Sequence, residues 1–233
     1  MKLVVATRSA GKMREIRRIL SVVPDLTVLD LDEAGVAPDP VEADLEPYDT
    51  FEENALSKAR YFQSRTGLPT VADDSGIEVD ALDGRPGVRS KRFAPDSGTD
   101  ARGLKGSALD QANNRHLVTC LAGIPAEERT ARYVCVAALL DGGGEPVFLR
   151  GEAEGVVVDD PRGDGGFGYD PHVLLPGLDR TYAELSPAEK DARSHRGAAF
   201  RQLAELLSSP GLETSPGPER SPGPEASTGG GRP

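Results

Sequence analysis

The chain has no tryptophan, and aromatic residues make up only 5% of it. Its core must therefore lean on Val, Leu, Ile and Ala. Only two cysteines are present, Cys120 and Cys135. Two are too few for the disulfide framework of a small secreted domain. Cys120 falls on an apolar helical face and Cys135 in an apolar strand pattern, so both are expected as buried, reduced core residues. Long hydrophobic runs are missing as well. The longest clean run, VCVAALL at 134–140, is far below a membrane span. The opening MKLVVATRSAGK turns polar too soon for the apolar region of a signal peptide. A cytoplasmic protein with no membrane partner is expected. Positive charge is also in short supply, with a net charge of -11. Such a chain repels nucleic acid, which excludes non-specific polyanion binding. A small anionic ligand is still compatible where a few bases converge or a metal screens the acids.

What is present is ordinary for a soluble globular protein: 233 residues, 37% hydrophobic and 28% charged. The length suits one large domain or two small ones. The end differs in composition. Residues 208–233 are rich in Pro, Gly and Ser, and the unit SPGPE occurs at Ser215 and again at Ser221. Pro and Gly at that density exclude a helix or a ladder, so a disordered tail is expected after a folded region at 1–207.

The folded region alternates strand and helix patterns. KLVVAT reads as a buried strand. AGKMREIRRIL follows as a helix with Met13, Ile16, Ile19 and Leu20 on one face and Ser9 as its cap. LTVLDL reads as a second strand. Thr50 and Glu53 open a helix that runs to about Arg65 and ends at Gly67. PTVADD and IEVDAL read as two short strands on either side of Ser75 and Gly76. A helix over Ser107 to Leu121 comes next. ARYVCVAALL and PVFLRGEAEGVVV then form strands around the turn DGGG. Ser186, Pro187 and Glu189 mark the start of a last helix to about Leu207. Strand–helix alternation followed by hairpin-like strands predicts an α/β fold with a mixed sheet.

Four segments have residues suited to chemistry. At the junction of the first strand and helix lie Thr7, Arg8, Ser9, Ala10, Gly11 and Lys12. A helix N-terminus with a close-approach glycine and a lysine is suited to phosphate. An ordinary strand–helix turn fits the same residues, and the Walker spacing is missing. In ADDSG, Ala72 to Gly76, two adjacent carboxylates follow a buried strand. Strand side chains alternate, so Asp73 and Asp74 point different ways, and one can hold a cation while the other is structural. Glu46 is a candidate second ligand. A turn capped by Asp and Ser is the alternative. The loop GDGGFGYDP at 163–171 has a formal G-x-G-x-x-G but no strand-to-helix context, which excludes a dinucleotide fingerprint. Its two aromatics can clasp a flat base, or merely anchor the turn. Lys190, His195 and Arg196 are candidate phosphate or carbonyl donors, or a solvated helix face. A Ser194–His195 nucleophile is excluded, because adjacent residues do not form such a pair. His116 and His172 lack metal-ligand spacing and are expected to be structural.

In this order, TRSAGKxxE, EPYDTFEENALSKAR, ADDSGIEVDALDGRPGV, GGFGYDP and AELSPAEKDARSHRG resemble the inosine triphosphate pyrophosphatase family over about residues 2–207. The resemblance implies an elongated α/β structure with a long twisted mixed sheet, a homodimer, and Mg²⁺-dependent hydrolysis of XTP, ITP and dITP to the monophosphate and pyrophosphate. It also implies roles for particular residues. Thr7, Arg8, Ser9, Ala10, Gly11 and Lys12 match the triphosphate loop. Glu46 and Asp74 match the Mg²⁺ ligands, with Asp74 also the proton acceptor, and Ser75 matches a substrate contact. Phe167, Gly168, Tyr169 and Asp170 match the base loop, while Lys190, His195 and Arg196 match further nucleotide contacts. Ser9 departs from the family pattern, which usually has Asn there, so that phosphate contact is a hydroxyl instead of an amide. Two other functions suit the same residues: a related pyrophosphatase for modified pyrimidine nucleotides, and a nucleotide-binding module without catalysis.

Overall fold

The computed structural model describes residues 1–209; residues 210–233, where most of the expected tail falls, lie outside the described residues. In chain order the main elements are β1 (Lys2–Val5), α1 (Ala10–Leu20), β2 (Thr27–Leu29), α2 (Phe51–Thr66), β3 (Thr70–Val79), α3 (Phe93–Asp96) and α4 (Gly106–Cys120). They continue with β4 (Thr130–Leu140), β5 (Val147–Val157), β6 (Val173–Leu175), β7 (Arg180–Thr181), α5 (Pro187–Arg193) and α6 (His195–Ser208). The strands form one seven-stranded sheet in the order β2-β1-β3-β4-β5-β6-β7. β1 pairs in parallel with β2 and β3, and every later pairing is antiparallel. The mixed sheet is the one expected.

Burial follows the residue pattern. β4 is nearly continuously apolar and is buried from Tyr133 to Leu140, because both its faces are covered. β5 alternates, burying Leu149, Gly151 and Ala153 while Arg150, Glu152 and Glu154 face out. On one face of the sheet, α1 and α6 bring Met13, Ile16, Phe200 and Leu203 against Leu3, Val5, Val71 and Cys135. On the other, α2 brings Ala55, Ala59 and Phe62 against Val4, Ala72 and Ala138. A further cluster at the far end of the long strands joins Ile77, Val79 and Tyr133 to Leu117 of α4.

Four expectations are corrected. PTVADD and IEVDAL are one continuous strand, β3, with Ser75 and Gly76 in register opposite Cys135 and Val134. Gly76 does not turn the chain. It admits the carbonyl oxygen of Gly87, which would lie 2.2 Å from an added Cβ. The last helix is two helices. Ser194 leaves helical geometry at ψ 155°, and its Oγ accepts from Gly197 N at 3.0 Å. Ser194 is thus an N-cap, and His195 and Arg196 occupy the first turn of α6. Cys120 is half-buried at the end of α4, not in the core; Cys135 is buried as expected, and both are free. The second strand is also shorter than LTVLDL, because Asp30 caps a turn through Oδ1 and Glu33 N at 2.8 Å.

Gly151 marks where α6 lies directly on the sheet. A Cβ there would meet His195 O at 2.2 Å and Ala199 N at 2.5 Å, both rigid backbone atoms. Gly151→Ala is predicted to destabilise the protein by about 1–3 kcal/mol through overpacking. Urea unfolding of the variant checks this, and an unchanged midpoint contradicts it.

Candidate active site

The sheet opens where β1 stops. β1 pairs with β3 only through Val4–Thr70 and Val5–Val71, and Ala6 N adds one bond to Val71 O at 2.8 Å. β3 continues for eight more residues to Val79. Among the described residues no strand covers that edge, and the chain returns to it only at Gly87 beside Gly76 and at the Glu78–Pro86 bridge. The strand order also reverses here, since β2 and β3 lie on opposite sides of β1. Open α/β sheets form their ligand crevice at such a switch point. Asp73, Asp74 and Ser75 line this gap.

The two carboxylates leave β3 in opposite directions, as expected. Asp73 is 2% exposed and faces α1 and α6. Its Oδ2 lies 2.8 Å from Lys12 Nζ and 3.4 Å from Arg196 Nη2. Burial would raise its pKa, but Lys12, Arg196 and Lys58 overcome that and hold it far below the carboxylate range. From Asp73 a chain of ion pairs runs through buried side chains. Arg196 Nη1 reaches Glu15 Oε2 at 2.6 Å, Glu15 Oε1 reaches Lys190 Nζ at 3.0 Å, and Lys190 reaches Asp170 Oδ2 at 2.6 Å. Three cations thus alternate with three anions, and this is how charges so deeply buried are tolerated. Arg196 also donates to Ser75 Oγ at 2.9 Å.

Asp74 faces α2 instead. Asn54 Nδ2 donates to its Oδ2 at 3.0 Å. Burial raises the Asp74 pKa, and the nearby Glu46 charge adds to the rise against the pull of Lys58 and Lys12. Lys58 Nζ donates to Glu46 Oε1 and to the backbone carbonyl of Asp73. Its pKa is raised despite burial, because Glu46, Asp74 and Asp73 surround it. The Glu46 carboxylate and the Asp73 carbonyl meet the Lys58 ammonium, with the Asp74 carboxylate charge nearby, and such oxygens are the donors a hard cation takes. Among the described residues no three His, Cys, Asp or Glu side chains converge as a complete cage, so phosphate oxygens and water would fill the remaining positions.

The residues of the 7–12 turn divide into two groups. Ser9 caps α1, its Oγ accepting from Lys12 N at 3.3 Å, and Thr7 Oγ1 accepts from Ser9 N at 3.1 Å. Ala10 is exposed and Gly11 half-buried at the helix start. Arg8 turns away from the gap. It binds Asp32 and Glu42, both at 2.8 Å, and Val36 O at 2.9 Å, pinning the segment after β2.

The 163–171 loop lies on the 7–12 turn. A Cβ on Gly11 would stand 3.1 Å from Phe167 Cδ1, so Gly11 is the seat of that ring. Lys190 Nζ lies 4.7 Å from the Phe167 centroid and Arg196 5.7 Å, placing cations over an aromatic face. Asp170 Oδ2 accepts from Phe167 N at 2.8 Å, and Tyr169 Oη donates to Ser90 O at 2.8 Å. His195 stacks on Tyr133 with centroids 4.8 Å apart, and its buried Nδ1 has no partner. Burial, with Arg196 and Lys190 nearby, pushes its pKa well below the usual value, which favours the neutral imidazole. His172 binds Val158 O through Nδ1, and His116 packs on Phe93; neither reaches the gap.

Sequence reasoning missed Glu15, Lys58 and Asn54 as site residues. Glu15 and Lys58 stand inside the quoted motifs TRSAGKxxE and EENALSKAR, but a single helical acid or lysine has no sign that it is buried.

A long mixed sheet with an acid–lysine cluster at the open edge of β3, near Lys12 and the 163–171 loop, places the protein among the Ham1-type α/β structures. It resembles the structure of a HAM1 protein from Coxiella burnetii with a TM-score of 0.75 and 34% identity, over 89% of this chain and 98% of that one. It also resembles the Staphylococcus aureus Ham1 protein with a TM-score of 0.71 and 32% identity, over the same shares of the two chains. The chain belongs to the Ham1 family, whose model matches residues 3–206. Among curated relatives, the dITP/XTP pyrophosphatase of Geobacter sulfurreducens is 46% identical over 91% of this chain and 99% of its own length. That of Frankia alni is 48% identical over 89% and 97%.

Removing Asp73's charge leaves Lys12 and Arg196 facing a neutral amide. Asp73→Asn is predicted to lose about 3–5 kcal/mol of stability at neutral pH. Because the folded-state pKa of Asp73 is depressed, its contribution is full above its unfolded pKa of about 3.9 and fades as pH falls below that. The gap between variant and parent in urea should therefore shrink on acidification below that value. A gap that is absent at pH 7, or that widens in acid, contradicts the assignment.

Proposed function

We propose that this chain hydrolyses non-standard purine nucleoside triphosphates, XTP, ITP and dITP, to the monophosphate and pyrophosphate, with Mg²⁺ as cofactor. The observation that carries the reading is the Glu46–Lys58–Asp74 cluster, set beside Lys12 and a base loop seated on Gly11. The names of the curated relatives support it. Among the described residues no helix is long and apolar enough to cross a membrane, which fits a cytoplasmic enzyme. Assembly as a homodimer belongs to the same reading.

In this mechanism the triphosphate lies along the first turn of α1. Thr7, Ser9, Ala10 and Gly11 orient it while Arg8 braces the turn from outside, and the Lys12 ammonium faces its negative oxygens. Asp74 takes a proton from a water molecule through a carboxylate oxygen. Its burial, which favours the protonated form, makes it a stronger base than a surface Asp. The oxygen of that water bonds to the α-phosphorus as the bond to the bridging oxygen breaks, and pyrophosphate leaves with the electron pair. Mg²⁺ held by Glu46 and Asp74 would supply Lewis-acid stabilisation at the phosphate oxygens. Lys58 holds Glu46 and the Asp73 carbonyl in place. The rest is positioning and electrostatics, as in other phosphoryl chemistry.

The base stacks on Phe167. The unpartnered Nδ1 of His195 suits a keto oxygen when it carries the proton, and Arg196 adds a second donor. Four hydrogen bonds to Asp73, Glu15 and Ser75 leave Arg196 one of its five N–H groups. An adenine 6-amino group would face donors, a mismatch that weakens binding when buried.

A panel of ITP, XTP, dITP and ATP, with and without Mg²⁺, tests the reading. Pyrophosphate is predicted from the first three, only with the metal and far more slowly from ATP; orthophosphate as the product, or equal rates with ATP, contradicts it. Asp74→Asn is predicted to lower kcat for ITP by about 10²–10⁴-fold, the usual worth of a positioned base. Turnover by that variant at the parent rate removes Asp74 from the chemistry.

A further inference from the structure

The base loop is gripped from outside. Gly168 N donates to Asp110 Oδ2 at 3.1 Å, and Asn114 Nδ2 donates to Gly168 O at 3.0 Å. Both side chains come from α4, four residues apart and therefore on one face. Both polar backbone groups of a single residue are thus fixed by a helix more than fifty positions earlier in the chain. Gly168 sits at φ +64°, where glycine is unrestrained by a side chain.

The clamp is itself anchored. Between its two residues, Asn113 Oδ1 accepts from Ala94 N at 2.9 Å, and Asn113 Nδ2 donates to Lys91 O at 3.1 Å. Leu117, one turn on, is fully buried. The 87–94 segment reaches the catalytic strand, because Ser90 Oγ accepts from Ile77 N at 2.8 Å and Ser90 O accepts from Tyr169 Oη. Asn114 is buried, and its Oδ1 has no partner. An amide with an unpaired buried oxygen is an unfavourable way to fill a helix face. What it contributes is the bond to Gly168.

Gly168 lies between the two base-loop groups that meet the cation chain. Phe167 faces Lys190, and Asp170 accepts from it. The peptide between them sets how ring and carboxylate are presented together. We propose that Asp110 and Asn114 are positioning residues for nucleobase selection, holding Phe167 and Asp170 in the arrangement that accepts a 6-keto purine and rejects adenine. The proposal rests on the pyrophosphatase reading above. Neither residue touches the acids of the hydrolytic step, so the clamp acts on base binding and not on bond breaking.

The test is steady-state pyrophosphate release from ITP and from ATP by the full chain and by Asp110→Ala, Asn114→Ala and Asp110→Asn. Each alanine variant is expected to raise KM for ITP about tenfold, with kcat kept within about threefold, since one positioning bond is worth roughly that factor. The ITP-to-ATP ratio of kcat/KM should fall by about the same factor. Asp110→Asn keeps an acceptor for Gly168 N and should restore the ratio. Thermal melts of all variants establish that the fold is intact, and the two alanine sites serve as independent probes. An unchanged ratio in both alanine variants, or equal losses on ITP and ATP, overturns the proposal. So does Asp110→Asn behaving like Asp110→Ala. Failure of the parent to release pyrophosphate from ITP would instead sink the underlying activity, which separates the two failures.

Discussion

Two neighbouring carboxylates on one buried strand are forced apart by the strand itself, since successive side chains point to opposite faces. Asp73 is thereby handed to α1 and α6, and Asp74 to α2. Each then acquires the chemistry of its side. Asp73 meets Lys12 and Arg196 and becomes a fixed negative charge. Asp74 meets Asn54, Lys58 and Glu46, and burial leaves it readier to take a proton. The same residue type at adjacent positions thus does structural work on one face and, in the proposed mechanism, serves as the base on the other.

The Asp73 side organises the rest of the molecule. Its ion-pair chain ties the first helix to the last through Arg196 and Glu15, and continues to the base loop through Lys190 and Asp170. Removing a link breaks the alternation and leaves its buried neighbours undercompensated, which is more destabilising than losing a surface pair. The 7–12 turn and the 163–171 loop are therefore locked to one frame, with Phe167 resting on Gly11. The gap they enclose exists because β1 is four residues long and β3 is ten. Topology makes the crevice, and charge alternation keeps its walls in place.

Much of this was legible in the residues. Hydrophobic periodicity identified α1, α2, β4 and β5, and Ser9 and Ser186 announced their helices as capping residues do. The ADDSG pattern pointed to divergent carboxylates before any geometry was known. What escaped was tertiary. Gly76 reads as a turn because glycine usually frees the backbone, whereas here it admits the Gly87 carbonyl. Ser194 reads as a helix-interior serine within a periodic stretch, and only its ψ of 155° reveals the cap that puts His195 and Arg196 in a first turn. Arg8 stands among phosphate-loop residues in sequence, yet Asp32 and Glu42 turn it away from the gap. Burial of Lys58 and Glu15 depends on partners from other elements, so local composition gives no sign of it.

The division between Asp73 and Asp74 is measured most directly by titrating the two carboxyl groups separately, following the ¹³C shifts of labelled aspartates assigned through Asp73→Asn and Asp74→Asn. Asp74 should protonate above the ordinary aspartate range, while Asp73 stays ionised well below it for as long as the protein remains folded. Both groups titrating together near the ordinary value, or Asp73 protonating first, would contradict the account.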